Sequence, residues 1–178
     1  MALDLRRTAF GSAQTNPILA VAYELEQMKY SVIPDDTVSQ NGRTLYRVRR
    51  LSDGLLGGYI ESEKNLSQSG NCFLYNKSRV FGNARIKDDA QLYGLAYDNT
   101  VIAGASVVYG EAFGDSQILD QAVVHGRAYD RAIIKDSSEL YGQAFGDSVV
   151  EDHAKVYGVI YGTARAMDHE LIYGSKGE

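Results

Sequence analysis

The chain has 178 residues, 44% of them hydrophobic, with 13 Tyr, 18 Gly, no Trp, only 2 Pro and a formal charge of −5. That length holds one domain, or one with a small cap, and so mild a charge carries no sign of polyanion binding. A single cysteine, Cys72, excludes an internal disulfide and a cysteine-built zinc site; with no signal-peptide pattern after Met1–Arg7 and no apolar run of membrane-spanning length, a cytoplasmic protein with no membrane partner is expected.

Taken in chain order, Asn16-Pro17 followed by Ile18, Leu19, Val21, Ala22 and Leu25 predicts a capped amphipathic helix ending near Met28 or Lys29. Lys29–Ile33 alternates as a strand does, and Pro34 is expected to stop it. Asn41-Gly42 predicts a hairpin turn into the strand Thr44–Arg49. A loop over Asp53–Gly58 and the segment Tyr59–Lys64 lead on toward Cys72. Residues 1–71 therefore read as a small α+β cap, whose simplest job is to cover the unpaired backbone at the start of the repeats. The basic residues Arg43, Arg47, Arg49 and Arg50 lie on the hairpin, and alternation puts the first three on one face. A solvated face is the plain reading and an acidic protein surface the functional one; nucleic acid is the least expected partner.

Residues 72–178 are organised differently. Cys72–Asp89 holds three full hexads, CFLYNK, SRVFGN and ARIKDD. From Leu92 the chain repeats every 16 residues without insertion or loss: LYGLAYDNTVIAGASV, VYGEAFGDSQILDQAV, VHGRAYDRAIIKDSSE, LYGQAFGDSVVEDHAK, VYGVIYGTARAMDHEL and the fragment IYGSKGE. From Ala90 onward even positions are nearly all small, aliphatic, Gly or Asp, and odd ones carry Tyr, Gln, Glu, Lys, Arg and His, which predicts strands with one buried face. So short and strict a period means a solenoid, each turn burying its core against its neighbours. Three Gly/Asp columns mark corners: Gly94 to Gly174, Asp98 to Gly162, and Asp88 to Asp168, each spaced by 16. These residue types suit a left-handed or otherwise tight backbone, so the Asp column reads as turn chemistry before metal binding. Two sides are full hexads; the third is cut to four residues, as in Ala112–Asp115, and its one inward residue is small (Ala96, Ala112, Ala128, Ala144, then Ile160). The expected fold is mainly β: a triangular parallel β-helix of about six turns, near 29 Å tall at roughly 4.8 Å per turn.

Asn41–Leu51 (NGRTLYRVRRL), Gly57–Tyr75 (GGYIESEKNLSQSGNCFLY) and the VFGNARI and LYG steps after them resemble the hexapeptide-repeat phage and bacterial proteins with YGNAR-type repeats, the YdcK-like type. The resemblance spans roughly Met28 to the end and departs at two points: the loop before Gly57-Gly58 is short, and Phe73 stands where Trp is usual. Residues 1–27 lie outside it. It implies a left-handed β-helix in a phage or prophage setting, working in the host cytoplasm, and it implies no catalytic residues.

Hexapeptide β-helices often belong to acyltransferases, which use a His base near a subunit cleft walled by protruding loops. No loop interrupts this coil between Leu92 and Ile172, and its three His are His125, in a column otherwise Tyr, and His153 and His169, one above the other. They read as surface histidines, with a weak metal site or a catalytic base as rivals; no metal and no cofactor is expected. Cys72 reads as a small core residue. The surface feature that asks for more is aromatic. Tyr93, Tyr109, Tyr141, Tyr157 and Tyr173 form one column, broken by His125; Phe81, Tyr97, Phe113, Tyr129, Phe145 and Tyr161 form a second; Leu95, Glu111, Arg127, Gln143 and Val159 run between them. Such columns serve as structural ladders or as an apolar strip that marks an interface. The functional expectation is a non-catalytic, protein-binding solenoid of phage type, such as an anti-CRISPR or other inhibitor docking on a host defence complex. It is expected to self-associate, as a dimer first. An acyltransferase and a structural or assembly protein of a phage are the alternatives.

Overall fold

In the computed structural model residues 27–178 are described, and the helix predicted from Asn16 falls almost wholly outside them. Strands β1 (Tyr30–Gln40) and β2 (Arg43–Arg50) form an antiparallel hairpin. Asn41 (φ 50°) and Gly42 (φ 75°) both take the left-handed backbone that a two-residue hairpin turn demands, which is why Asn-Gly stands there. Pro34 does not stop β1, contrary to the sequence expectation. It sits in the register shift between Ile33 and Thr37, where the ladder is interrupted and no amide is asked of it.

Strand β3 (Leu56–Ile60) pairs antiparallel with β2 and parallel with Arg79–Val80. It is thus the last strand of the cap and the first of the coil. From there the chain winds through three parallel sheets, here faces A, B and C, met in that order in every turn. Ile60 pairs with Val80, 20 residues on; Leu74 with Leu92, 18 on; and Ala96 with Ala112, 16 on, after which the spacing holds to the end. The coil makes about seven turns. The hexad reading, which starts at Cys72, misses the turn opened by β3 because Glu61–Asn71 lacks the hexad spacing and contains a 3-10 turn at Glu63–Asn65.

Over the middle turns each turn contributes to the interior two large aliphatic side chains, a small residue from face A and further small residues such as Ser106, Ser116, Ala122 and Ala132 ahead of faces B and C. Ile102, Ile118, Ile134 and Val150 come from face B, Val108, Val124, Leu140 and Val156 from face C, and Ala96, Ala112, Ala128 and Ala144 from face A; all have 0% exposure. A buried aliphatic stabilises by about 1.5–3 kcal/mol, so cohesion accumulates turn by turn. The residues missing from the 16-residue turn leave the corner between faces C and A rather than a side. The first turn crosses it with Tyr75-Asn76-Lys77-Ser78, and later turns with a Tyr-Gly pair such as Tyr93-Gly94.

The three corner columns are built on two physical grounds. Asp88, Asp120, Asp136, Asp152 and Asp168, and Asp98, Gly114, Asp130, Gly146 and Gly162, all have φ between 55° and 71°. Their aspartates also tie turn to turn: Asp120 Oδ2 accepts from Asp136 N (3.3 Å), Asp136 Oδ2 from Asp152 N (3.3 Å) and Asp152 Oδ2 from Asp168 N (3.0 Å). The Gly94–Gly174 column has ordinary φ. There the need is closeness, since a Cβ on Gly110 would lie 1.9 Å from the Gly126 carbonyl oxygen.

The first and last described turns differ. Tyr30 and Val48, at the base of the hairpin, join the main core and cover its first turn, and the Tyr30 hydroxyl donates to the Leu66 carbonyl at 2.7 Å. Burial is the main reason its phenol is pushed above the ordinary range. In the last turn two inward columns pass from Ala154 and Ile160 to Glu170 and Lys176, which form an ion pair at 2.8 Å. A charged pair at inward positions resists the stacking of another apolar turn.

Candidate functional site

Face A is narrow because its strands enter through the two-residue Tyr-Gly corner and carry a single inward alanine. The corner residue before it and the residue after that alanine therefore stand at its two margins, pointing out. Parallel in-register pairing repeats both margins at the turn spacing, and aromatic rings there must stack. Along the C–A margin Tyr75, Tyr93, Tyr109, His125, Tyr141, Tyr157 and Tyr173 stack with centroids 4.7–5.0 Å apart. Along the A–B margin Phe81, Tyr97, Phe113, Tyr129, Phe145 and Tyr161 stack at 4.8–5.6 Å. The structure thus brings all eleven aromatic residues of the two sequence columns, with His125 between Tyr109 and Tyr141, into two continuous ladders. It adds Tyr75, which the 16-residue column misses because that residue lies 18 before Tyr93. Between the ladders run Leu95, Glu111, Arg127, Gln143 and Val159, with Arg127 Nε 3.2 Å from the Glu111 carboxylate of the turn before.

The hairpin supplies what the sequence did not show. Its tip curls over the outer surface of face A, where Leu45, Tyr59 and Phe81 form a second buried cluster with Val38, Leu95 and Tyr97 packed against it. Arg79 Nη1 donates to Gln40 Oε1 at 2.5 Å, tying the tip to the row between the ladders. The basic residues are largely spent here. Arg43 lies over the Phe81 ring and pairs with Glu61 at 2.7 Å; Arg47 lies over Tyr59, donates to its hydroxyl at 2.8 Å and faces Asp36. Arg50 lies over Phe73 and pairs with Asp53, whose carboxyl it holds down at about 2. Arg49 is exposed. The single basic face expected from alternation is therefore divided. Arg43 and Arg47 bind their own chain, and a register shift between Arg47 and Arg49 breaks the β2–β3 ladder.

The hairpin covers the head of the second ladder, where Phe81 is 4% exposed. Tyr97, Phe113, Tyr129 and Phe145 are half-buried and Tyr161 is 40% exposed, while along the first ladder Tyr93 is half-buried and Tyr109 and Tyr157 are 49% and 42% exposed. Several hydroxyls are engaged: Tyr141 donates to Glu139 at 2.5 Å, which is the chief cause of its raised pKa, while Lys155 first and Tyr141 second hold the Glu139 carboxyl down. Burial first, then the Glu111 charge, raises the Tyr97 phenol. The step from an 18- to a 16-residue turn leaves an open depression of about 580 Å³ beside Asn76, Lys77, Arg79 and Tyr93.

The remaining candidates lie apart. His125 is a rung of the first ladder, between the rings of Tyr109 and Tyr141. His153 and His169 stack at 5.0 Å on another edge. Among the described residues no three His, Cys, Asp or Glu side chains gather as metal ligands. Cys72 is buried, with Lys29 Nζ 3.1 Å from its sulfur. No helix among the described residues is long and apolar enough to cross a membrane. No protein-family model matches the chain, and a search of curated proteins returns no match.

Proposed function

We propose that the protein is a rigid, non-enzymatic docking scaffold whose working surface is the part of face A below the hairpin, from Tyr109 to Tyr161. The observation that carries this reading is the cluster at the hairpin tip. There a polypeptide segment of the same chain, offering aliphatic side chains and an arginine, covers the head of the second ladder tightly enough to bury Leu45 completely and Phe81 almost so. The same two ladders continue for several turns past the tip with their rings half exposed. A fixed aromatic strip of that kind loses little conformational freedom on binding, and tyrosine is a favoured anchor at protein interfaces. The finer form of the reading, an inhibitor docked on a host defence complex such as an anti-CRISPR protein, is supported by the resemblance to phage proteins and not by the geometry.

The test is co-purification from a bacterial host with tagged wild-type chain, the Phe145→Glu variant and the face-B control Gln117→Glu, with stoichiometry read by mass spectrometry. A stoichiometric protein held by wild type and Gln117→Glu but lost from Phe145→Glu, at unchanged thermal stability, supports docking through face A. Equal retention by Phe145→Glu moves the docking surface elsewhere and refutes the assignment.

A further inference from the structure

Face A is stepped. Over its first turns the hairpin tip stands on it, and from Glu111 onward it is bare. We propose that the bare half is covered by a second copy of the chain, docked antiparallel about a two-fold axis that crosses face A between Glu111 and Arg127. The inference rests on the docking reading above and names its partner.

Two kinds of two-fold axis set this face against itself. An axis along the coil meets each residue of the central row with its own copy. It places Glu111 on Glu111 and Arg127 on Arg127, and sets hairpin on hairpin, which holds the bare halves apart. An axis across the coil reverses the row. Glu111 then meets the partner's Arg127 and Arg127 the partner's Glu111, so the intrachain pair at 3.2 Å becomes half of a four-charge ring. Within the first ladder the partner's His125 comes opposite Tyr109. The raised half of each copy fills the bare half of the other.

Net charge favours the same arrangement. Residues 27–79 carry 8 Lys/Arg against 5 Asp/Glu, a net +3, and residues 80–178 carry 8 against 15, a net −7. Antiparallel docking lays the positive end of each copy along the negative coil of the other, and like-on-like docking does the reverse.

The experiment is sedimentation equilibrium and light scattering on the purified chain, on Glu111→Arg, on Arg127→Glu and on an equimolar mixture of the two variants. Wild type is expected to be a dimer. Each single variant sets like charges together twice across the axis and is expected to dissociate about 100-fold more readily. Mixed, the two variants restore both opposite-charge contacts and return as a one-to-one dimer. A folding defect is not repaired by mixing, since each chain keeps its own like-charged pair. In the parallel arrangement the single variants only exchange one like pair for another and dimerise as wild type does. A monomeric wild type, or single variants as dimeric as wild type, overturns the proposal. If wild type is monomeric while Phe145→Glu still abolishes a stoichiometric host complex, face A docks a different protein. In that case this inference falls and the docking reading stands.

Discussion

The glycine column at the C–A corner offers the sharpest check on the coil. Adding one methyl group at Gly126 places a Cβ 1.8 Å from the Gly142 carbonyl oxygen, 2.5 Å from that of Tyr141 and 2.8 Å from the Gly142 carbonyl carbon, all backbone of the next turn. A carbon settles against a carbonyl oxygen at about 3.3 Å, so the two turns must part locally by more than an ångström. Two hydrogen bonds close this corner, Gly126 N to Leu140 O (3.1 Å) and Arg127 N to Gly142 O (2.9 Å). Losing both costs about 1 kcal/mol each, and the crowding a further 1–3 kcal/mol, so Gly126→Ala is expected to destabilise by about 3–5 kcal/mol. Gly174 is the control, because it stands in the same column with nothing within 4 Å of its would-be Cβ. Gly174→Ala should change stability by less than about 0.5 kcal/mol. Urea unfolding followed by circular dichroism measures both, with slopes compared to detect separate unfolding of part of the solenoid. Equal effects of the two substitutions would refute close approach as the reason for the column.

Two further outcomes come from the corners and the ion pairs. At Asp136 (φ 57°), Asp136→Gly keeps the backbone free to turn and gives up the bond to Asp152 N and an exposed contact with Lys135 Nζ at 3.4 Å, so a loss of about 1 kcal/mol is expected; Asp136→Ala loses the same contacts, also strains a left-handed residue and should cost about 1–2 kcal/mol more in the same urea assay. Glu151 is nearly buried on face B, where Lys135 first and Arg165 second hold its carboxyl below the ordinary range. A depressed folded pKa means that its contribution is complete above the unfolded value near 4.3 and is lost as pH falls through the folded one. Between pH 6 and pH 3 wild type should therefore lose more stability than Glu151→Gln, and parallel curves would count against the ion triad.

The coil was legible because parallel in-register stacking makes the sequence period and the spatial period the same thing. Ala112, Ala128 and Ala144 are superposed in space because they are 16 apart in the chain, and reading one turn reads them all. The aromatic ladders were legible for the same reason. What was not legible departs from that period. Tyr75 escaped because the corner at Asn76-Lys77 adds two residues. The turn opened by β3 escaped because Leu66 meets Ile86 through an isolated bridge, with no hexad around it. Pro34 misled because a proline forbids a ladder bond, not a bulge. The fold-over of the hairpin is a long-range contact between Val38 or Leu45 and Phe81, and no local pattern encodes it. Its faint signal is that both aliphatics sit among polar neighbours near the turn.

The ladders also limit what kind of ligand face A can take. Neighbouring rings lie 4.7–5.6 Å apart and 2–21° from parallel, so each internal ring has a neighbour on both of its faces. What reaches solvent is a row of ring edges and hydroxyls held at fixed intervals. A sugar or nucleobase binds tyrosine by stacking on the ring face, and internal rungs have no face to give. A side chain that lies across ring edges, or a guanidinium that reaches a ring from outside as Arg43 reaches Phe81, needs no face cleared. Edges and hydroxyls at fixed spacing suit a folded polypeptide surface of matching period. A second copy of this coil has that period by construction, and the proposed two-fold placement sets Tyr109 against the partner's His125 and the partner's hairpin over the turns beyond.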